Sequence, residues 1–418
     1  FPYTTLFRSK ASEKIPFLYR LIFSIIGMSD TIVLNRQRTM AHWIKENEPD
    51  IWAKTDKYMN ISTWLTMKLV GEYIDSSANQ AGHYPINFKK GEWYKSDKHL
   101  KGSMFGVPQK LLCKLVQPGE TLGYITKEAS ELTGLPEGLK MIAAGSDKSC
   151  ETLGLGAMKD EYTAAVSYGT ASTLDISISK YKESERFLPS YPAVHKGYYN
   201  MEIQVYRGYW MLNWFAKEFG EKESLEAAIQ HRLTLELLNE EMLKIPPGSE
   251  GLVLQPYWGP GLSRPLSKGA IIGFSDTHTR IHLYRAIIEG IAYALRDGLE
   301  EFESRRLHHK IKEIRISGGG SQSDAICQIT SDIFGLPVSR VQTYETSSLG
   351  AAIVGFIGIN EYQNIDDATK EMVKVSKTFY PNMDNHQKYD YLFYKAYRKM
   401  YPKLKGIYKD VKNFNNKF

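Results

Sequence analysis

Apolar side chains recur at a helical spacing through residues 31–75. Trp43, Ile44, Ile51 and Trp52 are followed by Ile61, Trp64, Leu65 and Leu69, and the pattern stops at Gly71. Packed helices are expected there. Residues 76–125 mix Gly, Pro, Asn and Lys without a sustained period, which predicts loops and short strands. From Met141 the pattern sharpens. Met141–Gly145 reads as a buried strand, and Ser146 or Asp147 then caps a helix that runs toward Gly154. Ala164–Tyr168 and Thr173–Ile178 read as two strands around the small-residue turn Gly169-Thr170-Ala171-Ser172.

A loop-rich middle, including Pro256–Gly261, leads into a long amphipathic helix over Ile281–Phe302, expected to pack on a sheet through Leu283, Ala286, Ile287, Gly290, Ile291 and Ala294. Ile314–Ser317, then Gly318-Gly319-Gly320, then Ala325–Phe334 predict a strand, a glycine turn and a helix. Ser348–Gly355 is a small-residue helix able to approach a neighbour closely. Tyr389, Leu392, Phe393, Ala396, Tyr397, Met400 and Tyr401 mark an amphipathic terminal helix that Pro402 should end or kink.

At 418 residues the chain exceeds one ordinary core, so two domains are expected, and 42% hydrophobic with 24% charged residues is a globular composition. The net charge of +6 (53 basic minus 47 acidic) is spread along the chain apart from a Lys/Tyr-rich end, so neither nucleic acid nor a membrane is expected as a partner. Ile15–Gly27 contains Tyr19 and Arg20 and is too short to span a bilayer. Three cysteines, Cys113, Cys150 and Cys327, show no metal-ligand spacing and favour a reducing, cytoplasmic address. The first nine residues, Phe1–Ser9, read like a translated sequencing adapter. They are set aside, with the expectation that the native N-terminal segment is missing.

Asp147 is the sharpest chemical candidate. A carboxylate at a strand-to-helix junction is held rigidly toward the crevice where α/β proteins bind ligands, and a hydroxyl that attacks phosphorus needs such a base. The plain alternative is a helix cap. Gly169 and Thr170 form a turn whose N–H groups and hydroxyl could hold a terminal phosphate, or a simple hairpin. In the triple glycine every Cβ is absent beside the unpaired N–H groups of a helix start, which suits a flat or anionic ligand, although such a turn can be purely structural. It lacks the spacing of the dinucleotide fingerprint.

The order of these sites resembles the FGGY family of carbohydrate kinases, in the actin, hexokinase and Hsp70 superfamily. The resemblance rests on Ala144-Gly145-Ser146-Asp147, Ser167-Tyr168-Gly169-Thr170, Gly269–Phe274, Arg285–Tyr293, Ser317–Gly320, Ser331–Val338 and Leu349–Ala352, and runs from about Asn35 to the terminal helix. It implies an α/β fold of two RNase H-like domains with a ligand cleft between them. Each would be built on a mixed five-stranded sheet, the first domain incomplete. The implied division is 10–157 (sugar-binding), 158–357 (nucleotide-binding) and 358–418 (helical extension). It also implies ATP-dependent phosphorylation of a sugar or polyol hydroxyl. Asp147 would be the catalytic base and indirect Mg2+ partner, Gly169 and Thr170 a phosphate loop, Gly318, Gly319 and Gly320 the adenosine loop, and Asp324 a polar neighbour of the nucleotide.

His278 and Thr279 resemble a family signature and are read as structural. The favoured acceptor is a ketose such as xylulose, with a glycerol-kinase-like acceptor as the alternative; the loop Asn79–Tyr84 is expected to help select it. Two departures stand out. No Asp-x-Gly-Thr turn precedes Asn35, and Lys148, read as solvated, follows Asp147 where relatives often carry Gln or Asn. An inactive fragment or a non-catalytic nucleotide-binding protein is therefore the second reading. A cluster at Tyr206, Arg207, Tyr209 and Trp210 is read as packing rather than sugar contact. A homodimer is left open.

Overall fold

The computed structural model describes residues 17–25 and 29–417, apart from 81, 83, 97–98, 100–101, 103, 159, 185–187, 260, 262–263 and 265. The adapter-like residues 1–9 lie outside the described residues. Two compact units result: Phe1–Cys150 with Pro189–Tyr199 and Gly350–Ala368, and Glu151–Leu188 with Asn200–Leu349 and Thr369–Phe418. No helix among the described residues is long and apolar enough to cross a membrane.

The described part of the first unit opens on the helices Phe17–Ile25, Ser29–Arg38, Met40–Asn47, Pro49–Ala53 and Ile61–Val70. Gly71, at φ 74°, ends the last in the left-handed conformation that glycine adopts without steric cost. The expected apolar face of that helix is inverted. Ile61, Trp64 and Leu65 are exposed, and Thr63, Thr66 and Val70 point inward. The cause is polar: the Thr63 hydroxyl donates to the buried Asp75 carboxylate at 2.5 Å.

Short strands follow. β1 (Ile74–Ser76) pairs in parallel with β4 (Lys114–Val116), and β2 (Ile86–Asn87) pairs antiparallel with β3 (Glu92–Trp93). β5 (Thr121–Tyr124) pairs antiparallel with β6 (Lys140–Ile142). Among the described residues of this unit the strands form two-stranded pairs rather than the expected five-stranded sheet. The apolar runs supply only two to four ladder residues each, and Ile74, Leu122 and Ala143 bury a small shared core. A two-residue strand, β9 (Tyr191–Pro192), also lies in this unit. The close approach expected of the small-residue helix is present in Thr346–Gly358: a Cβ on Gly350 would stand 1.8 Å from the Cys150 carbonyl oxygen.

The second unit is built on a mixed sheet. Its strands are β7 (Thr163–Tyr168), β8 (Ser172–Ile178), β10 (Tyr199–Val205), β13 (Glu313–Ser317), β14 (Val338–Val341) and β15 (Val375–Phe379), in the spatial order β15-β14-β13-β7-β8-β10. β13 runs parallel to both β7 and β14, with Ser317 opposite Ser167, whereas β8 is antiparallel to β7 and β15 to β14. Every residue of β7 and β8 is buried, the polar Thr163, Ser167, Ser172, Thr173, Asp175 and Ser177 among them, so both faces of this part of the sheet are covered. A separate antiparallel pair, β11 (Val253–Gln255) with β12 (Ala270–Ile272), carries Gly273 at φ 102°, close against the Gly251 carbonyl.

The helix Arg280–Phe302 packs against β10 and β11. A Cβ on Gly290 would come within 2.4 Å of the Leu254 carbonyl oxygen, and one on Gly298 within 2.5 Å of Ile203. Its start is fixed by Thr279, whose N–H donates to Nδ1 of His282 three residues on. The one-faced amphipathic pattern understates its burial, because 17 of its 23 residues are buried, Arg285, Glu289 and Arg296 among them. Ion pairing makes this tolerable. Arg285 Nε donates to Glu289 at 2.7 Å, and its other nitrogens reach the Ile245 carbonyl and Tyr389 Oη. Glu289 also accepts from Ser249, Tyr389 and the Gly248 N–H.

The terminal segment buries Tyr389, Phe393, Tyr397 and Met400, as its pattern predicts. Pro402 does not end it. A five-residue π-helical turn, Phe393–Tyr397, widens the helix one turn earlier, and Arg398–Lys417 continues through the proline. The buried aromatic face, from Tyr397 to Tyr408, holds the chain helical past the lost hydrogen bond.

Breaking the Arg285–Glu289 pair leaves a buried guanidinium without its carboxylate. Glu289→Ala is expected to cost about 3–5 kcal/mol of the second unit's stability. A urea transition followed at the three tryptophans of that unit, Trp210, Trp214 and Trp258, checks the value.

Candidate functional site

Asp147 is the first residue of the helix Asp147–Gly154. Ser146 is the cap, its hydroxyl accepting from the Ser149 N–H at 3.3 Å and its carbonyl from Cys150. That leaves the Asp147 side chain exposed, one oxygen accepting the Lys148 N–H at 2.8 Å, at a helix end whose dipole favours negative charge. The approach to it is pinned from one side. Ser76 Oγ donates to the Ala144 carbonyl at 2.5 Å, and the Ser146 N–H donates to the Ala78 carbonyl at 3.0 Å. Gly145 has no room for a side chain, since a Cβ there would meet Val194 at 2.5 Å and Ala78 at 3.2 Å. Lys148, expected to be solvated, is half-buried, because the first helical turn lies back against the unit.

Gly169-Thr170 and Gly318–Gly320 are brought together in the second unit. They leave the carboxyl ends of β7 and β13, which are adjacent and parallel, and in open α/β sheets ligands bind at that edge. Thr170 is exposed, and the Gly169 and Thr170 carbonyls accept from the N–H groups of Tyr209 and Trp210, so the turn is braced by the start of the helix Trp210–Phe219. The second turn begins at Gly318, φ 78°, and closes through the Ser321 N–H on the Gly318 carbonyl at 3.0 Å. Ser323 then caps the helix Asp324–Phe334.

The three glycines serve different ends. A Cβ on Gly318 would lie 2.7 Å from the Tyr168 carbonyl carbon, and one on Gly320 would lie 2.4 Å from the Tyr209 ring. Those two rings stack at 4.5 Å, and Tyr168 Oη is anchored to Thr330 Oγ1 at 2.9 Å. Gly318 and Gly320 are therefore glycine because backbone passes directly over a buried tyrosine pair. Gly319 is exposed, with nothing within 4 Å of where a Cβ would be, so it alone answers to the expectation of an open ligand approach. The packing role expected for Tyr209 holds within its own unit, whereas Tyr206 is exposed and Arg207 lies over the Trp210 ring at 5.1 Å.

Asp324 has both carboxylate oxygens engaged, with Arg340 at 2.9 Å and Lys377 at 2.5 Å. The Lys377 hydrogen bond, with Arg340 adding to it, holds its carboxyl below the ordinary value against the opposing cost of burial. This exposed tie is present above the unfolded carboxyl range and fades only as pH falls through the lowered folded value. Three residues at the site escape the motif reading. Arg340 also donates to the Ser321 and Gln322 carbonyls and so braces the glycine turn from β14. Glu151, four residues beyond Asp147 on its helix, is buried and accepts from Ser317 Oγ at 2.5 Å, immediately before the glycines. Its one sequence signal is that i, i+4 spacing. Asp75 is the third, in the middle of the three-residue strand β1. In the loop Asn79–Tyr84, Gln80 is buried against Asp75 at 2.9 Å, and Ala81 and His83 lie outside the described residues. No group of three or more His, Cys, Asp or Glu among the described residues is arranged to hold a metal ion.

The chain matches a known family. Residues 32–154 match the FGGY carbohydrate kinase N-terminal domain, and residues 164–359 match the C-terminal domain of the same family. The chain is 31% identical to the Escherichia coli K12 protein named as the uncharacterized sugar kinase YgcE, over 84% of this chain and 69% of that one. It is 28% identical to a xylulose kinase of Lactococcus lactis, over 90% of this chain and 72% of that one. Among solved structures, the ligand-bound xylulose kinase from Lactobacillus acidophilus superposes with a TM-score of 0.78 at 20% identity. That match covers 94% of this chain and 79% of that one, and so speaks for the fold. With both domain models in chain order around the strand-end turns and the capped Asp147 helix, the chain belongs to the FGGY family of carbohydrate kinases.

Proposed function

We propose that this carbohydrate kinase transfers the γ-phosphoryl group of ATP to a hydroxyl of a ketose, with xylulose favoured, and works in the cytoplasm. The observation that carries the reading is the pair of turns at the ends of adjacent parallel strands, Gly169-Thr170 on β7 and Gly318–Gly320 on β13. Xylulose is favoured because that name recurs among relatives of 27–30% identity; L-fuculokinase and glycerol kinase, at 28% and 29%, keep other acceptors in the test. Three buried free cysteines fit a reducing compartment.

In this reading the Asp147 carboxylate takes the proton of the acceptor hydroxyl. The sugar oxygen forms its bond to the γ-phosphorus while the bond from that phosphorus to the β,γ-bridging oxygen breaks, and ADP leaves. Gly169 and Thr170 offer N–H groups and a hydroxyl to the phosphate, and Gly319 gives the adenosine end an open approach. Asp324 steadies the helix behind it. The residues fit Mg2+ as a kinase uses it. The ion commonly takes one or two carboxylates and completes its shell with water and substrate phosphates, so the exposed Asp147 carboxylate would hold it indirectly, through that shell. When bound it would neutralise phosphate charge.

Turnover is tested by coupled ADP release with a panel of ketoses, polyols and gluconate; nucleotide binding without turnover of any member supports the second, non-catalytic reading instead. Asp147→Asn is expected to lower kcat about 10²–10⁴-fold with ATP affinity kept. Full turnover in that variant removes Asp147 from the chemistry. The glycines should separate in the same way. Gly319→Ala should keep the wild-type Tm and weaken ATP binding, whereas Gly318→Ala, at positive φ and against Tyr168, should lose about 1–3 kcal/mol of stability. Calorimetry together with nucleotide titration distinguishes them.

A further inference from the structure

Asp75 is 3% exposed and accepts from four groups. Thr63 Oγ1 lies at 2.5 Å, the Ser76 N–H at 2.7 Å, Gln80 Nε2 at 2.9 Å, and Asn79 Nδ2 at 3.1 Å from each oxygen. An ionised carboxylate accepts and cannot donate, so all four donors converge on a group built to receive them. Burying so polar a cluster is costly unless every member is satisfied, and what the cluster does is fix the shape of residues 75–80.

That segment touches the approach to Asp147. Ser76, one residue from the carboxylate, donates its hydroxyl to the Ala144 carbonyl at 2.5 Å. Ala78, two residues on, accepts the Ser146 N–H at 3.0 Å and stands 3.2 Å from where a Gly145 Cβ would be. Three consecutive residues, Ala144, Gly145 and Ser146, are thus set by the loop that Asp75 holds, and Asp147 is the next in the chain. We propose that Asp75 is a positioning residue for phosphoryl transfer, fixing the Asp147 carboxylate through the Ser76–Ala78 loop. The proposal rests on the reading of Asp147 as the base.

Asp75→Asn keeps the shape of the side chain and turns an amide N–H2 toward groups that are themselves donors. Ser76→Ala removes the hydroxyl that holds Ala144 and accepts the Ala78 N–H, leaving the Asp75 carboxylate in place. In the full chain, hydrogen exchange at Ser146–Cys150 should be roughly tenfold faster in both variants, with β7 and β13 still protected. Unchanged exchange there overturns the proposal, and so does faster exchange spread evenly over the first unit, which marks a loss of stability alone. With D-xylulose and ATP, Asp75→Asn should lower kcat about tenfold to hundredfold at unchanged KM for ATP. In an Asp147→Asn background it should lower the residual rate no further, because its effect runs through that carboxylate. Equal losses in both backgrounds overturn the proposal. If the unaltered chain turns over no sugar, or Asp147→Asn keeps full activity, the functional reading fails, and the exchange measurement still decides whether Asp75 sets the turn.

Discussion

The parallel pairing of β7 with β13, Ser167 opposite Ser317, is the constraint on which the second unit's site depends. Parallel strands deliver their carboxyl ends to one edge, so two turns far apart in sequence must open side by side. The pairing also decides what lies beneath them. Tyr168, the last residue of β7, falls under the first residues after β13, and the backbone can cross it only if Gly318 carries no Cβ. Tyr209 stacks on Tyr168 and imposes the same condition on Gly320. Burial pushes both phenolic hydroxyls up from their ordinary value.

Charge is buried elsewhere in the unit on different terms. The helix Arg280–Phe302 lies between packed elements, and an apolar helix could fill that space with less desolvation cost. Arg285 instead joins Glu289, Tyr389 and the Ile245 carbonyl, so three distant stretches of chain must agree on one geometry. Hydrophobic packing of the terminal aromatics tolerates small slips; a fully bonded guanidinium does not. The π-helical turn at Phe393–Tyr397 fits this view, because it lets Phe393 and Tyr397 reach Tyr293 while Tyr389 stays on Arg285.

Much of this was legible in the order of residues. The strand, glycine turn and helix over 313–334, the helix opened by Asp147 and the tight turn after Tyr168 all depend on local signals: apolar period, capping hydroxyl and missing Cβ. What stayed hidden depends on partners far along the chain. Nothing near Asp324 announces that Arg340 and Lys377 will occupy its carboxylate, and nothing in the triple glycine separates Gly318, which clears the Tyr168 backbone, and Gly320, which clears the Tyr209 ring, from Gly319, which faces open space. The five-stranded sheet expected of the first unit came from resemblance rather than from its own residues, whose short, Gly-, Pro- and Lys-interrupted runs support only two-stranded pairs.

The inverted helix Ile61–Val70 shows how a polar requirement can override an apolar pattern. Its period places Ile61, Trp64 and Leu65 on one face, and hydrophobic burial alone would turn that face inward. Doing so would carry Thr63 away from Asp75, leaving a buried carboxylate short of a donor. Stripping a buried charge of its partners costs more than losing a neutral contact, and the other donors to Asp75 lie on the loop it shapes, so Thr63, together with Ser62, which accepts from Asn79 Nδ2 at 2.7 Å, ties that loop to the helix. With its hydroxyl inward, the helix gives the carboxylate a donor from outside the loop, at the corner that holds Ala144–Ser146.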